Sequence, residues 1–267
     1  MQLFTPLTPD PTAPLARANA VAKLAAAGVL MLACFLAVDL LTPVLILAVE
    51  LLATLFSGLS ARALVGRAWP LLIGALGIGL ANALFPGEAS GTLLISFGPI
   101  RLTTASLLTG LGLALRLLGI AFAGVLALAT TDPTDLAESL AQQLHLSPRF
   151  AIGALAAVRL LPLLGQEWQT ISLARRARGV DAGGSPAAAV RLFAGMLLAL
   201  LVAGIRRGTR LAMAMDARGF GARDCRTWSH PQRMSAGDWW LVVGALAIAA
   251  GATAASVAIG SWRFLFG

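Results

Sequence analysis

The chain has 267 residues, of which 58% are hydrophobic and only 12% are charged, and its mean hydropathy is +0.84. These values lie far from those of soluble domains and indicate an integral membrane protein. The formal charge of +8 at pH 7 comes almost entirely from arginines beside apolar segments, which indicates orientation in a membrane and argues against a nucleic-acid-binding surface.

The N-terminal part of the chain predicts a short lead followed by four membrane spans. Residues 1–20 form an extended lead, because four prolines lie in it and no basic segment precedes an apolar run as in a signal peptide. Residues 21–130 contain apolar runs near the length that a roughly 30 Å hydrocarbon core requires. The predicted spans are residues 21–38, 45–59, 71–85 and 103–130. Gly74, Gly77 and Gly79 in the third span permit close approach of another helix.

Loops are predicted between these spans, and two of them differ in character. Residues 60–67 form a small basic loop with Arg62 and Arg67, and residues 86–101 form a loop that contains glycine and proline. The C-terminal region, residues 227–267, contains a linker and a final span at about 239–259 that tryptophans bracket at both ends. The predicted fold is therefore an all-α integral membrane protein with about five transmembrane helices.

Residues 131–226 read as a helical and basic region with one short and two long helices. A cap at Asp132 precedes an amphipathic helix at 136–146, which we expect to lie at the membrane surface. Long helices follow at about 149–178, bent at Pro162, and at about 187–218. The middle of the last one, residues 192–205, is apolar enough to resemble a span, and its placement in or under the bilayer stays open. We expect a strongly tilted pair with both C-terminal ends on the cytoplasmic side.

Each long helix ends in the same tripeptide, Ala-Arg-Gly. A cation is favoured at the last turn of a helix by the exposed carbonyl groups and the helix dipole, and glycine can take the left-handed conformation that ends a helix. Each copy read alone is typical of an ordinary helix end, but the duplication suggests a partner with two equivalent sockets. The residues of the two copies are Ala177, Arg178, Gly179, Ala217, Arg218 and Gly219.

These two copies, together with a short polar segment that ends in Lys23-Leu24, resemble the transmembrane T component of energy-coupling factor (ECF) transporters. Those proteins belong to vitamin and metal-ion importers related to ABC transporters. The resemblance implies that Arg178 and Arg218, with the residues around them, seat on two cytoplasmic ABC-type ATPase subunits or domains. It also implies that a separate membrane subunit, the S component, binds the substrate. Arg159, Pro162 and Glu167 resemble further family positions and are interpreted as helix-shaping or interhelical contacts.

The sequence predicts no enzymatic site, cofactor or metal. A phosphate-binding Gly-x-x-x-x-Gly-Lys loop is excluded because Lys23 is the single lysine, so any ATP-driven work must be powered by another subunit. Asp132 and Asp135 are explained by helix capping. The histidines and cysteines lack the companion ligands of a zinc site; they are His145, His230, Cys34 and Cys225.

Three polar residues fall inside predicted spans, namely Glu50, Asn82 and Arg116. Charge inside a bilayer costs about 2.5–3.5 kcal/mol per residue on insertion scales, so these side chains are expected to face other helices. One hypothesis pairs Glu50 with Arg116 inside the bundle. The alternative is that each side chain reaches the membrane surface separately.

The distribution of arginine predicts a multi-pass protein of the cell membrane with a cytoplasmic N-terminus, because the opposite orientation would export most of the basic residues. The preferred interpretation is a non-catalytic coupling subunit. The main alternative is a self-sufficient permease or membrane-embedded enzyme, which would need several ionisable side chains at membrane depth. A substrate-binding membrane subunit is disfavoured by the long basic region.

Overall fold

The structure, a computed structural model, describes residues 13–59, 61–85, 92–97, 100–144, 147–180, 183–220 and 231–260. Among these, residues 140–220 with Pro231 form one compact unit, and residues 13–139 with 232–260 form another, called the membrane unit below. The predicted all-α class is confirmed, with one short β-hairpin as a departure. Most of the predicted N-terminal lead lies outside the described residues.

The elements are, in chain order, α1 (Pro14–Arg17), α2 (Ala20–Leu36), α3 (Leu41–Leu55), α4 (Ala61–Leu84), β1 (Leu93–Phe97), β2 (Ile100–Thr103), α5 (Thr104–Ala129), α6 (Pro133–Gln143), α7 (Pro148–Ala177), α8 (Pro186–Ala217) and α9 (Ala236–Ala258). Side-chain caps begin several of them: Thr103 and Ser106 form a capping box at α5, and Ser235 and Asp238 form one at α9. Ser147 and Ser185, each followed by proline, begin α7 and α8.

Two predicted loops are wrong. Helix α4 already begins at Ala61, so the expected basic loop at 60–67 is helical from residue 61 onward. Arginine is a good helix former, so a basic stretch marks where a helix leaves the apolar layer and not where it ends. The expected loop at 86–101 contains strands β1 and β2, which pair antiparallel from Leu93 with Thr103 to Phe97 with Ile100.

Helix lengths modify the predicted set of five spans. Helices α5 and α9 are long and apolar enough to cross a bilayer, whereas α2, α3 and the apolar part of α4 are shorter. In the other unit, α7 from Phe150 onward and the whole of α8 also meet the length and composition criteria. Four long apolar helices and three shorter ones therefore support the membrane assignment, among the residues that the structure describes.

Helices α2, α3, α5 and α9 form a ring in the membrane unit, because α2 and α3 each pack against both α5 and α9. Helix α4 packs on the outside of α5 at a very close crossing. A Cβ atom on Gly110 would lie 2.4 Å from the Gly79 carbonyl oxygen, so both positions need glycine. The predicted role of Gly79 is thus confirmed, whereas a Cβ on Gly74 or Gly77 would meet nothing within 4 Å in the described structure.

Buried polar contacts join the helices at the end of the ring where α2 and α9 begin. The Lys23 ammonium donates to the carbonyl oxygen of Thr130 at 2.7 Å, immediately after the C-terminus of α5. A cation is favourable there because the last carbonyl groups of a helix lack internal partners. The backbone N–H of Asn19 donates to Asp238 Oδ1 at 2.7 Å, and this bond joins α2 to α9. The sequence did not predict this role for Lys23.

We expect acid to destabilise the protein through Asp39, in the turn between α2 and α3. Asp39 Oδ2 accepts hydrogen bonds from Ser256 Oγ at 2.7 Å and from the Thr42 amide and hydroxyl at 2.8 Å. Burial by itself would raise the pKa of Asp39, but these hydrogen bonds outweigh it and hold the pKa below its usual value. The stabilisation is therefore complete above the unfolded pKa of about 3.9 and is lost as the pH falls through the lower folded value.

Thermal unfolding of the solubilised protein between about pH 6 and about pH 3 checks this expectation. The melting temperature of the wild type should fall more steeply with acid than that of Asp39→Asn. The amide keeps an acceptor oxygen but does not titrate in this range. Parallel pH profiles for the two proteins would contradict the role assigned to Asp39.

Candidate functional site

The two Ala-Arg-Gly copies form the same helix-ending structure. In the first, the Gly179 amide donates to the Arg176 carbonyl at 2.9 Å and the Val180 amide donates to the Arg175 carbonyl at 3.0 Å. In the second, the Gly219 amide donates to the Asp216 carbonyl at 2.9 Å and the Phe220 amide to the Met215 carbonyl at 3.0 Å. This pair of bonds defines the Schellman motif, and its hydrophobic position after the glycine is occupied in both copies.

The arginine and glycine of each copy share the same backbone conformation. Arg178 and Arg218 cap their helices with φ/ψ of −89°/8° and −90°/9°, and both glycines have φ of 72°. The predicted helix ends and left-handed glycines are therefore confirmed. Both arginines are exposed. Each helix end thus presents a guanidinium group, which can make directional hydrogen bonds to a carboxylate or to carbonyl groups of a partner.

Helices α7 and α8 run antiparallel. Near the C-terminus of α7, Arg175 Nη1 donates to the carbonyl oxygen of Leu192 at 3.1 Å, close to the start of α8. Further back along α7, Glu167 forms an ion pair with Arg207. Gly153, near the start of α7, lines a cavity together with Met215, near the end of α8. Residues nearer the N-terminus of α7 therefore contact residues nearer the C-terminus of α8, which is the antiparallel arrangement.

This arrangement places the two guanidinium groups at opposite ends of the helix pair. Glu167 precedes Arg178 by the same number of residues as Arg207 precedes Arg218. At 1.5 Å per residue, each arginine lies about 16 Å from the ion pair along its own helix, in opposite directions. The two ends are therefore separated by about 33 Å along the pair. A single small ligand cannot contact both ends at this separation.

Side-chain contacts hold the antiparallel pair together. The Glu167–Arg207 ion pair is partly exposed, so it contributes at most about 1 kcal/mol. The interpretation of Glu167 as an interhelical contact is confirmed. Trp168 and Phe193 meet edge to face with ring centroids 5.4 Å apart. The contribution of Arg175 was not predicted, although its place one turn before Arg178 is a sequence signal for a cation near a helix end.

Large apolar side chains cover much of the outer surface of α8. Leu198 is 65% exposed, Leu201 is 54% exposed and Ile205 is 67% exposed within the described structure. Exposed apolar surface of this extent indicates contact with lipid or with another membrane protein. Helix α8 therefore has an apolar surface that can bind lipid or an apolar partner, whereas its C-terminal end is basic and polar.

The hypothesis of a Glu50–Arg116 pair is wrong. Arg116 donates a hydrogen bond to the Phe35 carbonyl oxygen and lies over the Phe35 ring, with its guanidinium carbon 5.2 Å from the ring centroid. Helical phase directs Arg116 toward the last turn of α2, whose carbonyl groups lack intrahelical partners. Glu50 is 1% exposed, and neither of its carboxyl oxygens has a hydrogen-bond partner in the described part of the chain.

The expectation that Asn82 faces another helix is also wrong. Asn82 is exposed near the C-terminus of α4. The buried Gly79 and Ala83 form the face of α4 that packs on α5, and Asn82 lies outside that face. Asparagine so close to the helix end can bond to water or lipid head groups. Of the three polar residues in predicted spans, Glu50 is therefore the one that is buried without a partner among the described residues.

We expect Glu50→Leu to stabilise the protein. A buried carboxyl group without a partner carries a desolvation cost of about 1–3 kcal/mol, and leucine of similar volume removes it while adding apolar contacts. The melting temperature of the solubilised protein measures the change. A lower melting temperature for Glu50→Leu would show that the carboxyl group is already satisfied in the folded protein.

The remaining polar residues provide no metal site in the part of the chain that the structure describes. Within those residues, no cluster of three or more histidine, cysteine, aspartate or glutamate side chains is suited to a metal ion. Cys34 is buried and free. His145, His230 and Cys225 lie outside the described residues.

Comparison with known proteins identifies the family. The model of the CbiQ cobalt transport protein family matches residues 11–227, which include both Ala-Arg-Gly copies. Several curated relatives carry the name energy-coupling factor transporter transmembrane protein EcfT. The one from Exiguobacterium sibiricum is 27% identical over 242 residues, covering 87% of this chain and 90% of the relative. The one from Streptococcus equi subsp. equi is 29% identical over 215 residues, covering 77% and 78%.

A shorter alignment has higher identity. The EcfT protein of Heliobacterium modesticaldum is 33% identical over 168 residues, which cover 59% of this chain and 61% of that relative. The family match extends over most of the chain, from the described start of the membrane unit through α8. The chain therefore belongs to the CbiQ cobalt transport protein family and is a transmembrane T component of the ECF transporter type.

Proposed function

We propose that this chain couples two cytoplasmic ABC-type ATPases to a substrate-binding membrane subunit, the S component. The observation that carries the proposal is the pair of matched helix ends, each with an exposed arginine at the same capping position. The two helix ends have the same structure and lie at opposite ends of the antiparallel pair α7 and α8, which suits binding to two similar ATPase subunits. The chain itself performs no chemistry in this scheme, and it is not an enzyme.

Each arginine would enter a groove on one ATPase subunit and bond to an acceptor there. A guanidinium group is always charged and presents its donors in a fixed plane, so it attracts an acceptor and also fixes the orientation of the hydrogen bonds. The Schellman motif behind it fixes the last turn of the helix and limits independent rotation of the helix end. Displacement of a groove would therefore be passed to the helix and not lost in a flexible cap.

The two helices would then carry this displacement to the S component. The contacts between Glu167 and Arg207 and between Arg175 and Leu192 oppose sliding of one helix along the other. Apolar side chains on α8, such as Leu198 and Ile205, supply a surface to which a membrane protein can bind. ATP binding and hydrolysis would thus move the surface that holds the S component.

Orientation follows from the same proposal. The N-terminus and both arginine-bearing helix ends lie on the cytoplasmic side of the cell membrane, where ATP is available. The excess of arginine in residues 131–226 supports this orientation. The transported compound is a vitamin, a vitamin precursor or a transition-metal ion, and the S component selects it.

Assembly of the complex tests the proposal. We expect Arg178→Ala together with Arg218→Ala to abolish co-purification of the ATPases while the chain still inserts into the membrane. The matched control is Arg176→Ala together with Arg210→Ala, which removes the same charge from exposed positions of the same two helices. Retention of the ATPases by the first variant, or their loss from both, would contradict a specific role for the helix ends.

The same preparation separates this function from a self-sufficient permease. A permease would move substrate when the purified chain alone is placed in liposomes. The coupling function requires the ATPases and the S component for any uptake. Uptake by the chain alone would therefore reject the proposal in favour of the alternative.

A further inference from the structure

A cavity of about 310 Å³ lies inside the ring formed by α2, α3, α5 and α9. Its walls are almost entirely apolar, with Leu30, Ala123 and Ile248 among them, and its polar lining includes Glu50. Pockets that bind small molecules commonly have this size and composition, with a few polar groups that fix the orientation of the ligand. The cavity belongs wholly to the membrane unit and is distinct from the arginine-bearing helix ends.

Glu50 is the polar group in this cavity that lacks a partner among the described residues. Both of its carboxyl oxygens are inaccessible to solvent and unbonded there. Arg116, the partner predicted from the sequence, and Lys23 both bond elsewhere. Arg116 donates to the Phe35 carbonyl, and Lys23, which lines the same cavity, donates to the carbonyl oxygens of Thr130 at 2.7 Å and Ala16 at 3.3 Å. A buried carboxyl group without a partner carries a desolvation cost, which a donor from outside the ring would reduce.

A second cavity provides a route to Glu50. It has a volume of about 580 Å³ and shares four lining residues with the first, which are Leu15, Ala53, Trp240 and Leu241. Exposed Arg17 and the polar Ser235 and Asp238 also line it. The route therefore begins at the polar end of the ring, where α2 and α9 start, and leads toward the carboxyl group between apolar walls.

We propose that the ring cavity binds a small amphiphile that has an apolar chain and a cationic amine, with the amine bonded to Glu50. A carboxyl group can transfer its proton to an amine, and the ammonium group that results supplies three donors and the opposite charge to the carboxylate. Removal of a hydrocarbon chain from water into the apolar walls is favourable as well. The ligand gives the buried carboxyl group a hydrogen-bonding partner and fills a cavity, so it stabilises the ring. This site does not depend on the proposed coupling function.

The size of the cavity limits the ligand. A chain of about eight carbons fits a volume near the lower bound of small-molecule pockets, whereas a two-chain lipid does not. The shared wall residue Ala53 is small and only partly buried, so it leaves the route open. A larger side chain at Ala53 would narrow the passage without a change in the carboxyl group.

Thermal unfolding of the purified full-length chain with n-octylamine as the probe tests the proposal. We expect octylamine to raise the melting temperature of the wild type, whereas 1-octanol and octanoate at the same concentration have little effect. Glu50→Gln should weaken octylamine binding at least tenfold. Because this change removes the titratable carboxyl group and keeps the shape of the side chain, the variant should fold at least as well as the wild type.

Two further variants sharpen the result. Glu167→Gln removes a carboxylate outside the cavity and should bind octylamine as the wild type does. Ala53→Phe should weaken binding while Glu50 is retained. The proposal is overturned if octylamine fails to stabilise the wild type, if octanol stabilises it equally, or if Glu50→Gln and the wild type bind octylamine alike. ATPase binding by Glu50→Gln and Ala53→Phe is expected to be unchanged, which separates this site from the coupling function.

Discussion

ATP-driven uptake by the reconstituted transporter is expected to fall at least about a hundredfold when Arg178 and Arg218 are both replaced by alanine. A hydrogen bond to a charged group contributes about 1.5–3 kcal/mol, so loss of one from each helix end removes about 3–6 kcal/mol of coupling. Each 1.4 kcal/mol corresponds to a factor of ten in an equilibrium constant. The helices themselves should remain folded, because the alanine variants keep Gly179 and Gly219 and the backbone hydrogen bonds of both Schellman motifs.

Lysine variants refine this prediction. Arg178→Lys together with Arg218→Lys keeps the charge at both helix ends but loses the planar set of donors. We expect uptake between that of the wild type and that of the double alanine variant. The rate of uptake into proteoliposomes that contain ATPases and S component provides the measurement. Wild-type uptake by the double alanine variant would contradict the expected loss, and wild-type uptake by the lysine variant would show that charge alone is sufficient.

Gly110→Val is expected to prevent normal packing of α4 on α5. A Cβ atom at this position would lie 2.4 Å from the Gly79 carbonyl oxygen and 3.0 Å from the Ala83 Cβ, and backbone oxygen cannot move aside as a flexible side chain does. Overpacking in a well-packed interior costs about 1–3 kcal/mol and more where backbone must shift. We therefore expect poor membrane accumulation of the variant and a melting temperature far below that of the wild type.

Gly77→Ala is the matched control for Gly110→Val. Gly77 lies on the same helix as Gly79, but a Cβ there would meet nothing within 4 Å in the described structure. Alanine is more favourable than glycine in a helix interior by about 1 kcal/mol, so this variant should be neutral or stabilised. Equal losses of stability in both variants would show that the close helix crossing is not the cause.

Helix identity and helix ends were predictable because they depend on local sequence. Apolar runs predicted α5 and α9 to within a few residues, and Ala-Arg-Gly predicted a capped end twice. The physical reason is that a left-handed cap requires glycine and that the last turn favours cations wherever the helix lies. Such features need no knowledge of neighbouring helices.

Side-chain partners were not predictable because they depend on helical rotation and on the order of helices around the ring. Glu50 and Arg116 are both ionisable and lie in predicted spans, but Arg116 bonds to the Phe35 carbonyl. Of the four glycines in α4, only Gly79 faces α5 closely. Nothing in the spacing of these residues distinguishes the face that packs on α5 from the face that does not.

The residues that we propose to act in coupling were identified only in part from the sequence, for the same reason. Arg178 and Arg218 carry a local signal, whereas Arg175 and Arg207 act through helix α8 and helix α7 respectively. Their contribution requires the antiparallel arrangement of the two helices, which brings distant parts of the chain together. Lys23 was part of the sequence resemblance, but its bond to the end of α5 was visible only in the folded structure.

Labelling by a membrane-impermeant maleimide tests most directly whether both arginine-bearing helix ends face ATPases in the cytoplasm. In a chain whose Cys34 and Cys225 are replaced by serine, Ala177→Cys and Ala217→Cys, which keep both arginines, are examined separately in intact cells and in inside-out vesicles. We predict labelling of both positions only in inside-out vesicles, and protection of both when the ATPases are bound. Labelling of either position from outside intact cells, or labelling that bound ATPases leave unchanged, would contradict the account.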